Sequence, residues 1–127
     1  MFLKFNWINI VWALFIIGAH AIPGSSLPKV YWEIFEFDKI VHAALFGIWA
    51  FLLANGWHKQ NRFFYLKRFY IRLILSICLM YALALEAAQY YIFASRAFEL
   101  NDLLADIVGT VMGLGLFRAL YGRYLKL

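Results

Sequence analysis

Residues 73–93 read LILSICLMYALALEAAQYYIF, a run of 21 residues whose only charged side chain is Glu86. At about 1.5 Å of rise per residue, a helix of that length crosses a hydrocarbon core of about 30 Å. A soluble chain of 127 residues that is 65% hydrophobic and 15% charged could not hide its apolar side chains in one core without large exposed patches. Lipid is therefore the solvent this stretch implies. An α-helix is the spanning form, because it satisfies its own backbone hydrogen bonds.

Working outward, residues 5–22, 40–57 and 103–121 are runs of the same kind, so the four segments hold 18 to 21 residues each. Breakers and charges separate them: IPGSSLP at 22–28, the basic stretch 58–72, and residues 94–101. The predicted architecture is all-α: one domain over residues 1–127, a polytopic membrane protein folded as a compact bundle of four transmembrane helices. Lys4 followed by an apolar stretch ending in Ala19-His20-Ala21 also fits a signal peptide. Cleavage would leave a three-helix remnant, so the first segment is expected to stay attached.

Nine of the twelve Lys and Arg residues (Lys4, Lys59, Arg62, Lys67, Arg68, Arg72, Arg118, Arg123 and Lys126) fall on one set of flanks. Lys29, Lys39 and Arg96 fall on the other. The positive-inside rule then places both termini in the cytoplasm. The net charge of +5 has this topological explanation, and nucleic acid is not an expected partner, because the aromatics lie in apolar runs rather than on a basic soluble face. The stretch 58–72, with Phe63-Phe64-Tyr65, suits a basic amphipathic segment resting on anionic membrane lipid. Cys78 is the single cysteine, which excludes an intramolecular disulfide and reads as a packing or lipid-facing residue.

The acids are distributed the opposite way. All seven (Glu33, Glu36, Asp38, Glu86, Glu99, Asp102 and Asp106) lie in the outer loops or the outer halves of helices. An ionisable side chain inside a span costs several kcal/mol if it faces lipid, so it turns inward and finds a partner. Asp38 and His42 share a helix face by i, i+4 spacing; so do Asp102 and Asp106, and Glu86 and Gln89 share another at i, i+3. Three helices thus aim polar pairs inward, and at about 1.5 Å of rise per residue a shared depth is geometrically possible.

Bland readings stand beside each. Asp38 and Asp102 sit where helices begin and can cap free N–H groups. His42 and Gln89 can hydrogen-bond across helices. Glu86 and Asp106 need a donor, a cation or a proton, with Arg96 the nearest candidate and His42 the next. A purely structural ion-pair network is one outcome. Gly109 and Gly113, with Ala105 a turn before and Gly115 beyond, form a small-residue seam read as packing within the bundle rather than homodimerisation. One His and several carboxylates are able to hold a divalent cation, but a single dispersed His argues against zinc and acids in an apolar setting more often share a proton or pair with Arg, so no metal and no cofactor is expected. With no Ser-His-Asp signature, phosphate loop or CxxC motif, no catalytic residue is assigned.

The ordered set IPGSSLP at 22–28, FDKIVH at 37–42, Glu86-x-x-Gln89, then Arg96 and NDLLADIVG at 101–109 with Gly113, resembles the VanZ-like family of small membrane proteins. The resemblance covers residues 23–113. It implies Asp38, Lys39, His42, Glu86, Gln89, Arg96, Asp102, Asp106 and Gly109 as signature positions. Many members carry Asn where this chain has Asp106, which weakens any mechanism that moves a proton through that residue. The family is named after an accessory protein of glycopeptide-resistance clusters that lowers susceptibility to teicoplanin. The resemblance therefore implies a multi-pass protein of the bacterial cytoplasmic membrane. It points to a non-enzymatic envelope protein that binds or shields a lipid-linked cell-wall precursor or lipoglycopeptide at an outer polar pocket. The alternatives are an intramembrane acid/base enzyme acting on an envelope lipid, and a proton- or ion-coupled transporter, for which four helices without an inverted repeat leave little room. The oligomeric state is not legible in the sequence.

Overall fold

A computed structural model describes residues 1–22, 35–93 and 98–125. It contains α1 (Phe2–Ala21), α2 (Phe35–Lys59), a short α3 (Phe64–Arg68), α4 (Tyr70–Tyr91) and α5 (Leu100–Tyr121). Helices α1, α2, α4 and α5 are each long and apolar enough to cross a membrane, and no strand occurs among the described residues. The protein is thus an all-α, multi-pass bundle. Four crossings bring both ends of the described chain to the same side.

All four spans start earlier than their apolar runs. Lys4, Asp38 and Arg72 lie inside the first turns of α1, α2 and α4, because a helix does not stop where hydropathy does but continues into the interfacial layer. At the other end of α1 the stop is local. Ile22 precedes Pro23 and is extended, with φ −69° and ψ 120°, as the clash between a proline ring and the preceding residue requires. Between α2 and α4 the chain turns on Gln60, which is 1% exposed. Its side-chain nitrogen donates to the carbonyls of Trp57 (3.1 Å) and Phe63 (2.8 Å), and its Oε1 accepts from the Phe63 N–H at 2.7 Å. A buried amide thus replaces backbone partners that lipid cannot supply.

Helix α2 is the hub and packs on α1, α4 and α5. Its buried face, Leu45, Phe46, Trp49, Ala50, Leu53, Ala54 and Trp57, forms the core with Ile16, Ile74, Ala82, Leu85, Leu114 and Phe117. Cys78 is buried in the same core, a packing residue rather than a lipid-facing one. The outward faces remain apolar: Val11, Leu14 and Phe15 on α1, Met80 on α4, and Val108, Val111 and Met112 on α5 form a girdle suited to acyl chains.

Burial of apolar surface does not drive helices together inside lipid, so polar pins matter more. The Trp12 indole donates to the Leu45 carbonyl at 3.0 Å, the Trp49 indole to the Asn9 carbonyl at 3.2 Å, and the Tyr81 hydroxyl to the Ala13 carbonyl at 2.6 Å. Two of these fix α1 to α2 and the third fixes it to α4. Tyr81→Phe is expected to lower stability by only about 0.6 kcal/mol, the usual worth of one interhelical hydrogen bond in a membrane bundle. An SDS titration in mixed micelles, read by far-UV circular dichroism, checks this.

Candidate functional site

The site lies at the end of the bundle where α1 and α4 finish and α2 and α5 begin, called here the polar end. Helices α2 and α5 both start there, so they run parallel, and they share the most extensive interface in the molecule. Small residues make that closeness possible. A Cβ on Gly109 would overlap the Ala43 carbonyl, one on Gly113 the Gly47 carbonyl, and one on Gly47 would stand 2.9 Å from the Gly109 oxygen. Gly109 and Gly113 therefore face α2 within one chain. One turn nearer the polar end, the same backbone approach sets the pair Asp38 and His42 opposite the pair Asp102 and Asp106.

There His42 Nδ1 lies 3.0 Å from Asp106 Oδ1, and His42 Nε2 lies 3.9 Å from Asp102 Oδ2, with all three side chains almost fully buried. When Asp106 is ionised it can only accept, and Nδ1–H is then the donor. Nε2 is thereby turned toward Asp102 and Asp38. Atoms of Asp38, His42 and Asp102 able to ligate all lie within 4.8 Å of one another. Asp38 and Lys39 are half-buried at the rim, both within electrostatic reach of Asp102. Below the cluster, the Thr110 hydroxyl donates to the Asp106 carbonyl at 2.8 Å.

Neither aspartate serves as a helix cap. Asp38 sits a turn inside α2, and α5 has Glu99 at its N-cap with no side-chain capping bond. Asp102, in the first turn, still lies where the helix dipole favours a negative charge. Burial of its side chain among the other acids puts it to a different use from a surface cap.

Glu86 and Gln89 belong to the same end but to other partners. Glu86 Oε2 accepts from the Glu99 main-chain N–H at 3.3 Å, rather than from His42. The Gln89 amide donates to the His20 carbonyl at 3.3 Å. Arg96, the expected partner of Glu86, lies outside the described residues, as do Glu33 and the loop at 23–28.

The sequence reading missed His20. In the sequence it is only the middle of an A-x-A pattern, and the single dispersed His that argues against zinc is His42. In the structure the His20 ring packs edge to face on that of His42, with centroids 4.8 Å apart. Its Nδ1 donates to the Ile16 carbonyl at 2.8 Å, which turns Nε2 away from its own helix turn. An ionisable residue near the end of an apolar run was the signal available, and the rule used for His42 would have found it. Asn6, Asn9 and Thr110 are likewise buried polar residues not singled out beforehand.

A cleft of about 100 Å³ lined by Leu75, Cys78, Leu79 and Ile107, with Asp106 and Thr110, lies between α4 and α5. Leu79 is exposed on the lipid-facing surface, so the cleft connects the acyl-chain region with the lower side of the cluster.

Comparison with curated proteins and with solved structures returns no match. Among protein families, the VanZ/LLP1 model matches residues 1–121, which takes in all four spans and every member of the polar cluster. The match reaches beyond the motif-bearing region 23–113 to include α1, the helix that supplies His20, and by it the chain belongs to the VanZ/LLP1 family.

Proposed function

We propose that this protein is a multi-pass protein of the bacterial cytoplasmic membrane whose polar end faces outward and binds a lipid-linked cell-wall precursor or a lipoglycopeptide. The single observation that carries this reading is the buried convergence of Asp38, His42, Asp102 and Asp106, with His20 beside them. Positive-inside orientation puts that convergence on the side where wall precursors and such antibiotics act.

The chemistry of the site defines the part of the ligand it recognises. Carboxylate oxygens dominate, so the cluster suits donors: sugar hydroxyls, amide N–H groups or an ammonium. A cleft of about 100 Å³ is also too small for a whole drug-sized molecule, for which pockets run to roughly 300–1,000 Å³. That cleft therefore takes only part of a ligand. Lateral access between α4 and α5 accommodates part of an acyl chain.

Purified protein in nanodiscs is expected to bind a lipid-linked wall precursor or teicoplanin, and His42→Ala is expected to weaken that binding about tenfold or more, as for loss of one charge-assisted hydrogen bond. In cells, wild type is expected to lower susceptibility to teicoplanin rather than vancomycin, an effect absent from His42→Ala and Glu86→Gln at equal expression. Failure of the wild type to bind either ligand would remove the reading.

One observation favours a second reading, an enzyme acting on an envelope lipid. A histidine oriented through Nδ1 by a buried aspartate, with Nε2 directed toward Asp102 rather than bonded to it, is arranged as a general base. A lipid product formed by wild type and lost in His42→Gln distinguishes turnover from binding.

A further inference from the structure

Among the described residues, five buried side-chain atoms lack a hydrogen-bond partner, and three of them, His20 Nε2, Glu86 Oε1 and Asp102 Oδ1, belong to the polar end. Their side chains are nine-tenths or more buried: His20 is 5% exposed, Glu86 and Asp102 2% each. Orphaned buried polar atoms are rare in native proteins, and three at one end of a bundle call for a species that satisfies them, an ion or ordered water. The species must also offset charge. Asp38, Asp102 and Asp106 from two parallel helices surround one imidazole, and carboxylates at such depth are held by pairing or by a cation.

We propose that Asp38, His42 and Asp102 form a divalent transition-metal site, with His42 Nε2 and one oxygen of each aspartate as ligands and Asp106 as the residue that positions the imidazole. Nε2 and Asp102 Oδ2, at 3.9 Å, are too far apart for a hydrogen bond to each other. They are near enough to flank one ion, since on bonds of about 2.0–2.2 Å two donors lie about 3.4 Å apart at a tetrahedral angle and about 4.3 Å apart when opposite each other. All the ligand atoms lie within 4.8 Å of one another, so an ion between them draws the set inward.

The Asp106–His42 contact supplies the outer support that metal-bound histidines almost always have. A carboxylate takes the Nδ1 proton, which fixes the tautomer and raises the basicity of Nε2. One imidazole and two carboxylates make a mixed N/O set. That set suits Zn²⁺ or Mn²⁺ better than Mg²⁺ or Ca²⁺, which favour oxygen throughout. His20, stacked on the His42 ring with Nε2 unpartnered, is the nearest further donor. The ion site uses the same side chains as the ligand reading above, and its test uses the metal alone, so that the two readings fail separately.

Full-length protein in detergent micelles, stripped with a chelator and then titrated with Zn²⁺ or Mn²⁺, is expected to retain one ion per chain after desalting. Asp38→Asn, Asp102→Asn and His42→Gln are each expected to lower affinity at least about tenfold, and Asp106→Leu about 10- to 100-fold with all three ligands intact. His58→Gln, at the opposite end, should bind as wild type. Electron paramagnetic resonance of the Mn²⁺ form should show coupling to an imidazole nitrogen, a wild-type readout that decides the question even if the variants fail to fold. Absence of stoichiometric binding, absence of nitrogen coupling, unchanged affinity in folded Asp102→Asn and His42→Gln, or retention of only Mg²⁺ or Ca²⁺ would each overturn the assignment.

Discussion

Gly109→Ala is expected to destabilise the bundle by roughly 1–3 kcal/mol or more, although alanine is the better helix former. The added methyl would overlap the Ala43 carbonyl, and a backbone atom of a buried helix cannot swing aside as a side chain can. Relief requires α2 and α5 to separate. That movement would also open the His42–Asp106 contact of 3.0 Å, so packing and polar cluster should fail together. Gly113→Ala meets the Gly47 carbonyl and should behave alike. Gly115→Ala is the internal control, because nothing lies within 4 Å of a Cβ there and its helix face is exposed. Unfolding in SDS–detergent mixtures, followed by circular dichroism, should rank Gly109 and Gly113 well below a wild-type-like Gly115→Ala. Equal behaviour of the three would mean that α2 and α5 are not in backbone contact.

His42→Ala is expected to cost about 3–5 kcal/mol, because it strands Asp106 and Asp102 without the imidazole in a water-poor interior. The charge left behind, more than the lost attraction, sets that magnitude. Asp106→Asn should be far milder, since the amide oxygen can still accept the Nδ1 proton at the same place. This agrees with the tolerance of Asn that the family resemblance implies. Replacing both partners, His42→Leu with Asp106→Leu, should recover much of the loss seen in His42→Ala, as buried ion pairs exchanged for apolar residues often do. The same unfolding titration checks all three. A double variant as unstable as the sum of its singles would show that the two side chains do not interact.

Element existence was plain in the residues and element ends were not. Four apolar runs of spanning length leave the backbone only one way to satisfy itself in lipid, so four helices follow without reference to packing. Their ends extend into charged turns at Lys4, Asp38 and Arg72, because the interfacial layer tolerates both a helix and its charges. The inward faces were harder to read. Helices α1, α2 and α5 are apolar around nearly their whole circumference, so no hydrophobic stripe marks the buried side, and polar side chains are the markers of the inward face. That signal located Asp38, His42, Asp102 and Asp106, and it was equally present at His20, Asn6 and Asn9, where it was passed over.

By itself the sequence determined that the chain lives in lipid, crosses it four times and gathers its acids at one end, since those properties follow from transfer free energies of individual residues. Which acids would meet which histidine was decided by tertiary structure alone. The pairing of His42 with Asp106 rather than with Glu86, and the stacking of His20 on His42, depend on a parallel α2–α5 crossing close enough for glycine to face a carbonyl. Interhelical distance is a property of two surfaces together, and no single stretch of residues carries it.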